Sequence, residues 1–416
     1  MTHTSEKSRI LFLDNLRYLM VLLVLILHAA ISYSNFVPWW CVKEPNVHAA
    51  VFDVLILILD VFLMPVLFFI AGYFAISSFR KKGTRRFLKR KFKRLGLPLL
   101  IGIPLVSPSF SYIYHFTRNG FSSHMGFGAY WMDYLKTAGD FSIGTMTSID
   151  QFSQSHLWFM SLLLFFFVVF GLCVGTTRLD DGSAAVDRSG STSPGSILII
   201  LAVMGILSAV FALIGNMLFA RPENPEPWVT IANLLQFQPD SVGTYILYFG
   251  VGIYASHKKW FITTKIPGHP AIWLISCALL SGSLLLTLNR LMLNFSIGIF
   301  LLYLLARSFL CVSFLAAFSS WAAGHWNRPS QFHRLLALNS YHIYMTHFLI
   351  VVIMQLVLAG WSDGSVFVKF GIVSAASILA SFGISHYALR PYPRLSVVGI
   401  YTLFAITLIT IRPEGL

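Results

Sequence analysis

Long apolar runs separated by short polar stretches dominate the chain, and their rhythm sets the expected architecture. Runs near or above the roughly 20 residues that cross a bilayer as a helix occupy 10 to 34, 48 to 77, 95 to 115, 157 to 176, 196 to 219, 232 to 256, 271 to 289, 292 to 320, 338 to 359 and 366 to 388. A shorter run, 396 to 411, is a candidate eleventh span or an apolar tail lying against the bundle and ending at 416. The pattern predicts an all-α, polytopic transmembrane helical bundle of ten or eleven helices, forming one domain over residues 1–416. No fixed-period repeat interrupts it. Two polar segments are longer than the rest: 116 to 155, rich in Gly, Ser, Tyr and Phe, reads as a loop over one end of the bundle, and 178 to 195 as a flexible linker.

Composition agrees: 56% of residues are hydrophobic and 11% charged, where soluble domains average about 25% charged. The formal net charge of +14 belongs to membrane topology rather than to nucleic-acid binding. Lys and Arg collect in short cytoplasmic loops, and the stretch from Arg80 to Arg94, read as a loop, holds ten of them. With that stretch inside, the N-terminus is cytoplasmic, and Arg178, Lys258, Lys259, Lys265, Arg328, Arg334, Arg390 and Arg394 also fall inside. The first apolar run is too long for a signal-peptide core and lacks a small-residue cleavage site, so it reads as a retained helix. The four cysteines, Cys41, Cys173, Cys277 and Cys311, form neither a CxxC pair nor a disulfide framework.

Against this apolar background the ionisable residues stand out, because in hydrocarbon they are costly and mark functional paths. Arg17 and His28 are eleven residues apart in the first helix, which places them on nearly one face with a rise of roughly 16 Å between them. Asp14, three residues before Arg17, is positioned to pair with it. In the second helix Asp53 and Asp60 are two turns apart, with Asp60 near mid-membrane; it is a candidate to orient a histidine or balance Arg17, or simply to join helices by hydrogen bonds. Ser340, Tyr344 and His347 form one polar stripe on an apolar helix, with His347 at a depth close to that of His28. His156 and Trp158 stand at the outer end of another helix, where a Trp is ordinary. Arg307, inside a further span, requires a buried partner.

Other chemistries lack their signatures. No HExxH, paired-histidine or cysteine-cluster arrangement suggests a metal, no G-x-S-x-G elbow suggests a serine hydrolase, and no P-loop suggests nucleotide hydrolysis. No metal and no permanently bound cofactor are expected. Arg90, Lys91 and Arg94 surround a membrane entrance, where they fit a polyphosphate ligand as well as the ordinary attraction of a basic segment to anionic lipid.

Several motifs then resemble one family. Leu13-Asp14-x-Leu16-Arg17 followed by His28, Met64-Pro65-x-x-Phe68-Phe69-Ile70-Ala71-Gly72-Tyr73, Lys91-x-x-Arg94-Leu95-x-x-Pro98, His156-Leu157-Trp158-Phe159 and Ser340-Tyr341-x-Ile343-Tyr344-x-x-His347 resemble, in order, the acyltransferase type three family of membrane proteins. The second motif is especially similar to the branch called glucan biosynthesis protein C. The resemblance implies a bacterial inner-membrane enzyme moving an acyl group, acetyl or succinyl, from cytoplasmic acyl-CoA to a hydroxyl of an extracytoplasmic carbohydrate. It implies His28 as the catalytic residue with Arg17 as its first-helix companion, and Lys91 with Arg94 at the CoA phosphates. Lys91 departs from the family's arginine at that position, and the neighbouring Arg90 is the alternative.

The expected mechanism docks CoA at Arg90, Lys91 and Arg94, threads the pantetheine arm past Arg17, and uses His28 as general base or as nucleophile. His347 or Asp60 would fix its tautomer. His156 would hold the acceptor, and Arg307 is the one candidate cation for a succinyl carboxylate. Two rivals remain at this point: a transporter or flippase for a glycan or lipid precursor using the same charges as a pathway, and a regulatory membrane sensor that binds no acyl-CoA.

Overall fold

Hydrocarbon leaves the backbone no water to bond, so spanning segments close their own hydrogen bonds as helices; the apolar runs do so here. The structure, a computed structural model, describes residues 10–410 apart from 36–38, 43–47, 81–82, 121–124, 140–141, 147–150, 177–191 and 263–264. Its helices are α1 (Leu11–Ile31), α2 (Ala50–Arg80), α3 (Gly83–Lys91), α4 (Leu97–Arg118), α5 (Phe127–Thr137), α6 (Trp158–Thr176) and α7 (Pro194–Phe219). They continue with α8 (Pro239–His257), α9 (Pro270–Leu293), α10 (Ile297–His325), α11 (Gln331–Ala359), α12 (Val366–Ile384) and α13 (Pro393–Thr410). Proline opens α7, α8 and α9 within the first turn, where its missing N–H costs nothing.

Among the described residues ten helical segments are long and apolar enough to cross a membrane, including α13 and the continuous stretch from Gly83 to Arg118. The all-α bundle is therefore what the hydropathy pattern predicts. α8 falls outside that set because Asp240, Ser241 and Thr244 dilute its first turns. It nevertheless runs the length of the bundle. It starts beyond the end of α7, and the turn after it returns to the start of α7, where Trp260 Nε1 donates to Thr192 Oγ1 at 3.1 Å. With α8 the described residues offer eleven candidate passes.

Three expectations are corrected. The basic stretch from Arg80 to Arg94 is not a loop: α3 and a π-helical turn (Phe92–Gly96) carry nearly all of it. Residues 84–95 hold no Gly or Pro, and Arg, Lys and Leu are good helix formers. Gly83, at φ +68°, supplies the left-handed step from which this helix restarts. The segment 116–155 is not a plain loop either. Its described part contains the end of α4, the whole of α5 and a strand, β1 (Ile143–Met146). That strand pairs antiparallel with β2 (Trp228–Ile231), which pairs with β3 (Leu235–Phe237), in registers Gly144↔Thr230 and Thr230↔Gln236. Consequently the span read as 232 to 256 becomes strand first and helix only from Pro239.

Most of the 178 to 195 linker lies outside the described residues. The C-terminal run is helical to Thr410, and 411–416 lies outside the described residues. α13 buries no side chain and touches chiefly α5 and the π-turn before it (Ser385–Leu389), as an apolar helix at the rim of a bundle would.

The core is centred on α2, which packs most extensively on α8. Gly72 and Gly252 make that approach possible: a Cβ on Gly72 would run into the Phe249 carbonyl, and one on Gly252 into that of Phe69. α1 lies against α2 on one side and α11 on the other. Both neighbours fix its position.

Candidate active site

α1 and α11 run side by side in the same direction, tied at both ends. At the end carrying the basic residues, Asn15 Nδ2 donates to the Trp326 carbonyl at 2.8 Å, and Tyr18 Oη meets His333 Nδ1 at 2.7 Å. Arg17 pairs with Asp14 at 3.1 Å and donates from Nη2 to the Ala337 carbonyl at 3.3 Å. At the opposite end Gln355 Nε2 donates to the carbonyls of His28 and Ala29 at 3.1 and 3.3 Å, while its Oε1 accepts from Trp40 Nε1 at 2.9 Å. These ties set the register that brings two histidines 319 positions apart into contact.

His28 Nδ1 and His347 Nε2 are 3.1 Å apart, and His347 Nδ1 lies 2.7 Å from the Tyr344 carbonyl. A carbonyl only accepts, so the His347 proton is on Nδ1 and its Nε2 carries a lone pair. His28 must then donate from Nδ1. Its Nε2 is left as a lone pair with no hydrogen bond among the described residues, on a ring that is half-buried where His347 is fully enclosed. Trp40 stacks over the His28 ring at 5.5 Å and 11°, and Phe348 meets it edge-on at 4.9 Å. The arrangement is a neutral imidazole held in one tautomer with its basic nitrogen available.

His156 completes the cluster from the turn before α6. It stacks on Phe348 at 4.7 Å and 10°, its ring centroid is 5.3 Å from that of His347, and neither of its buried ring nitrogens makes a well-formed hydrogen bond among the described residues. An unsatisfied buried polar group requires an explanation such as a ligand or water. The turn is braced from the small sheet. Gln236, buried on β3, accepts from Gln154 N at 2.6 Å and donates to the Phe152 carbonyl at 2.9 Å. Ser155, at φ +49°, then bends the chain so that His156 enters the bundle. Tyr344 Oη donates to the His156 carbonyl at 2.5 Å, which ties the turn to the helix bearing His347.

The structure thus brings together His28, His347, His156 and Tyr344. Trp158 instead faces α8 and the sheet, against Trp228 at 5.4 Å and Tyr245 at 5.7 Å. Asp60 and Arg307 lie elsewhere, and the expected links to a histidine or to Arg17 are corrected. Asp60 accepts from Arg307 at 3.4 Å, and Arg307 also pairs with Asp240 at 3.1 Å. Asp60 faces α8 and α10 because it sits on the flank of α2 away from α1. Arg17 has Asp14, and Arg307, held by two carboxylates, is no free cation beside His28. Asp53 caps the chain leaving α1, accepting from Asn35 N and Nδ2 at 2.7 Å each.

At the basic end Arg90 and Arg94 are exposed, whereas Lys91 turns its ammonium onto the Phe167 ring at 3.3 Å and the Phe87 ring at 5.3 Å. Arg94 lies 5.1 Å over the Tyr341 ring, and Tyr341 Oη donates to its carbonyl. Tyr341 is on α11, two turns before His347, so one helix touches both the arginine and the histidine cluster. Trp40, Gln355, Asp240 and Gln236 escaped the sequence reading. Only Asp240 carried a signal, as an acidic residue at the start of an apolar run.

The family described as acyltransferase domain matches residues 10–386, a range that contains all three clustered histidines and the basic turn. Curated relatives include the glucans biosynthesis protein C of Escherichia coli (strain SMS-3-5 / SECEC), 30% identical over 165 residues that cover 39% of this chain and 37% of the relative. The protein of the same name from Escherichia coli O157:H7 (strain EC4115 / EHEC) is 29% identical over the same shares. The chain therefore aligns with little more than a third of those relatives' length. No solved structure matches.

Proposed function

The chain belongs to the acyltransferase-domain family, and on that premise we propose that it is a membrane O-acyltransferase. It moves an acetyl or succinyl group from acyl-CoA to a hydroxyl of an extracytoplasmic carbohydrate, in a bacterial inner membrane with the basic end facing the cytoplasm. The observation that carries this reading is the hydrogen-bonded histidine pair, with Nε2 of His28 free at its end.

The residues divide the work. Arg90 and Arg94, exposed at the basic end, meet the CoA phosphates through charge-assisted hydrogen bonds. Arg17, anchored between α1 and α11, lies along the path of the pantetheine arm, and the roughly 16 Å of helix from Arg17 to His28 suits that arm's reach. At the far end His28 Nε2 removes the proton of the acceptor hydroxyl as its oxygen attacks the thioester carbonyl. The tetrahedral intermediate then expels CoA as thiolate, which recovers the proton from the His28 imidazolium. The products are the ester and free CoA, and the base is regenerated. His156, with two unsatisfied ring nitrogens beside the pair, binds the acceptor or the carbonyl oxygen. The name carried by the relatives supports a glucan as acceptor.

The test is acyl transfer from labelled acyl-CoA by the purified protein in proteoliposomes, with periplasmic glucans or oligosaccharides as acceptors. Label appears on the sugar with the wild type and not with His28→Ala. Full activity in that variant, or movement of unmodified glycan across the bilayer, would refute the proposal.

A further inference from the structure

A second polar centre lies on the other flank of α2, away from the histidines. Asp60 on α2, Asp240 on α8 and Arg307 on α10 form it, with Arg307 bonded to both carboxylates at 3.4 and 3.1 Å. Asp60 and Arg307 are each ten residues from the nearer end of their helices, or about 15 Å into the bundle. Two carboxylates and one guanidinium leave a net charge of minus one at that depth. An uncompensated charge at that depth is expensive, and among the described residues no cation besides Arg307 bears on the cluster.

The surrounding groups offer oxygen to receive a cation. A cavity of about 30 Å³ lies against Asp60 and Arg307, between α2, α7, α8 and α10. Ser208 on α7 is in its wall, 1% exposed, with a hydroxyl that bonds nothing. Val61 and Pro65 are in the wall as well. Because proline has no N–H, the Val61 carbonyl, four residues earlier, loses its helical donor. A carboxylate and an idle hydroxyl belong to residues that line one void, with the Val61 carbonyl released nearby, and all three are hard oxygen ligands of the kind that hold alkali and alkaline-earth cations. The volume is room for about two water-sized particles, which excludes a sugar or an acyl chain. Asp60, with 60% of its side chain open against 22% for Arg307, stands at the mouth. Glu226, Tyr245, Tyr303 and Cys311 are the other titratable groups within electrostatic reach of the pairs, and burial, then the charge of Asp60, pushes the Glu226 acid up towards its neutral form.

We propose that this cavity binds one monovalent alkali cation, sodium by size, which neutralises the Asp60–Arg307–Asp240 cluster and clamps α2, α7, α8 and α10 together. The site is independent of the acyl-transfer reading. With Glu226 neutral, a divalent ion would overshoot the charge of the Asp60–Arg307–Asp240 set, and an anion would add to the deficit.

Thermal unfolding of the purified protein in nanodiscs of zwitterionic lipid tests it, in sodium chloride against choline chloride at equal ionic strength and fixed pH. The unfolding midpoint rises with sodium and saturates. Ser208→Ala, which breaks no hydrogen bond and so folds, raises the half-saturating sodium concentration about tenfold, one ligand's worth of affinity; Asp60→Asn removes the sodium effect. A midpoint indifferent to sodium, or a sodium effect unchanged in both variants, overturns the proposal. So does a midpoint that moves with pH and not with sodium, which would assign the charge to a proton.

Discussion

Replacing His347 separates a positioning role from a packing one. His347→Leu keeps the site apolar and filled but removes the acceptor that holds the His28 proton on Nδ1 across 3.1 Å. The productive tautomer then loses one hydrogen bond and leaves a buried N–H unpaired, a penalty of about 1–3 kcal/mol. If that penalty is expressed fully in the transition state, kcat falls about 5- to 150-fold, at 1.36 kcal/mol per decade. His347→Gln behaves differently. Its amide nitrogen can donate to the Tyr344 carbonyl, as His347 Nδ1 does at 2.7 Å, while its oxygen accepts from His28. Activity should stay within about fivefold of wild type, below the loss expected for one unpaired buried group. The KM for acyl-CoA stays unchanged in both, because the residues proposed for CoA lie at the other end of α1 and α11. Initial rates with labelled acyl-CoA, at saturating acceptor, measure both parameters. Wild-type kcat in the Leu variant, or equal losses in Leu and Gln, would refute the tautomer argument.

Four further outcomes are expected. Arg94→Ala raises the KM for acyl-CoA, more at low ionic strength than at high, because its exposed guanidinium meets a phosphate in screening solvent. Lys91→Met leaves that KM within about threefold but lowers stability by about 1 kcal/mol, the worth of its contact with the Phe167 ring, as read from unfolding midpoints. Gln355→Leu removes three hydrogen bonds that join Trp40, α11 and α1 and costs about 1–3 kcal/mol, with a fall in kcat as Trp40 loosens over His28. Burial pushes the Cys41 thiol up to about 12. At pH 8 it is therefore protonated, and since the thiolate is the reactive form, maleimide should modify Cys41 only after unfolding, as scored by peptide mass spectrometry.

The legible parts of this protein were those written in local pattern. Helix count and the rise from Arg17 to His28 follow from hydropathy and from 1.5 Å per residue, and the similar depths of His28 and His347 followed once the passes were ordered. What stayed hidden depended on which faces meet. Asp60 could be given a depth, but its partner depends on how α2 is rotated, and the rotation is set by the Gly72 and Gly252 contact with α8. Strands of four and three residues are too short for their alternation to stand out beside long apolar helices. The basic stretch was misread for a different reason: charge density marks the end of a span, yet Lys and Arg are also good helix formers, and the helix runs on through them.

α2 divides the polar interior into two centres with opposite electrostatic designs. On the α1 and α11 side every group joined to His28 is neutral: an imidazole, a carbonyl, an indole and an amide. Among the described residues no carboxylate touches His28 or His347, and the groups that do are uncharged, which suits a nitrogen that is to act as a base. On the other flank, formal charges meet directly, with one carboxylate in excess. A carboxylate moved beside His347 would favour the charged ring, as opposite charges do, and remove the lone pair that the proposed reaction needs. Keeping Asp60 and Asp240 across α2, occupied by Arg307, prevents this. The separation makes the two centres testable apart: changes at Asp60 or Ser208 should leave the pH dependence of acyl transfer where it is, because neither touches the histidine pair. A shift of that profile in Ser208→Ala would show that α2 transmits charge between them.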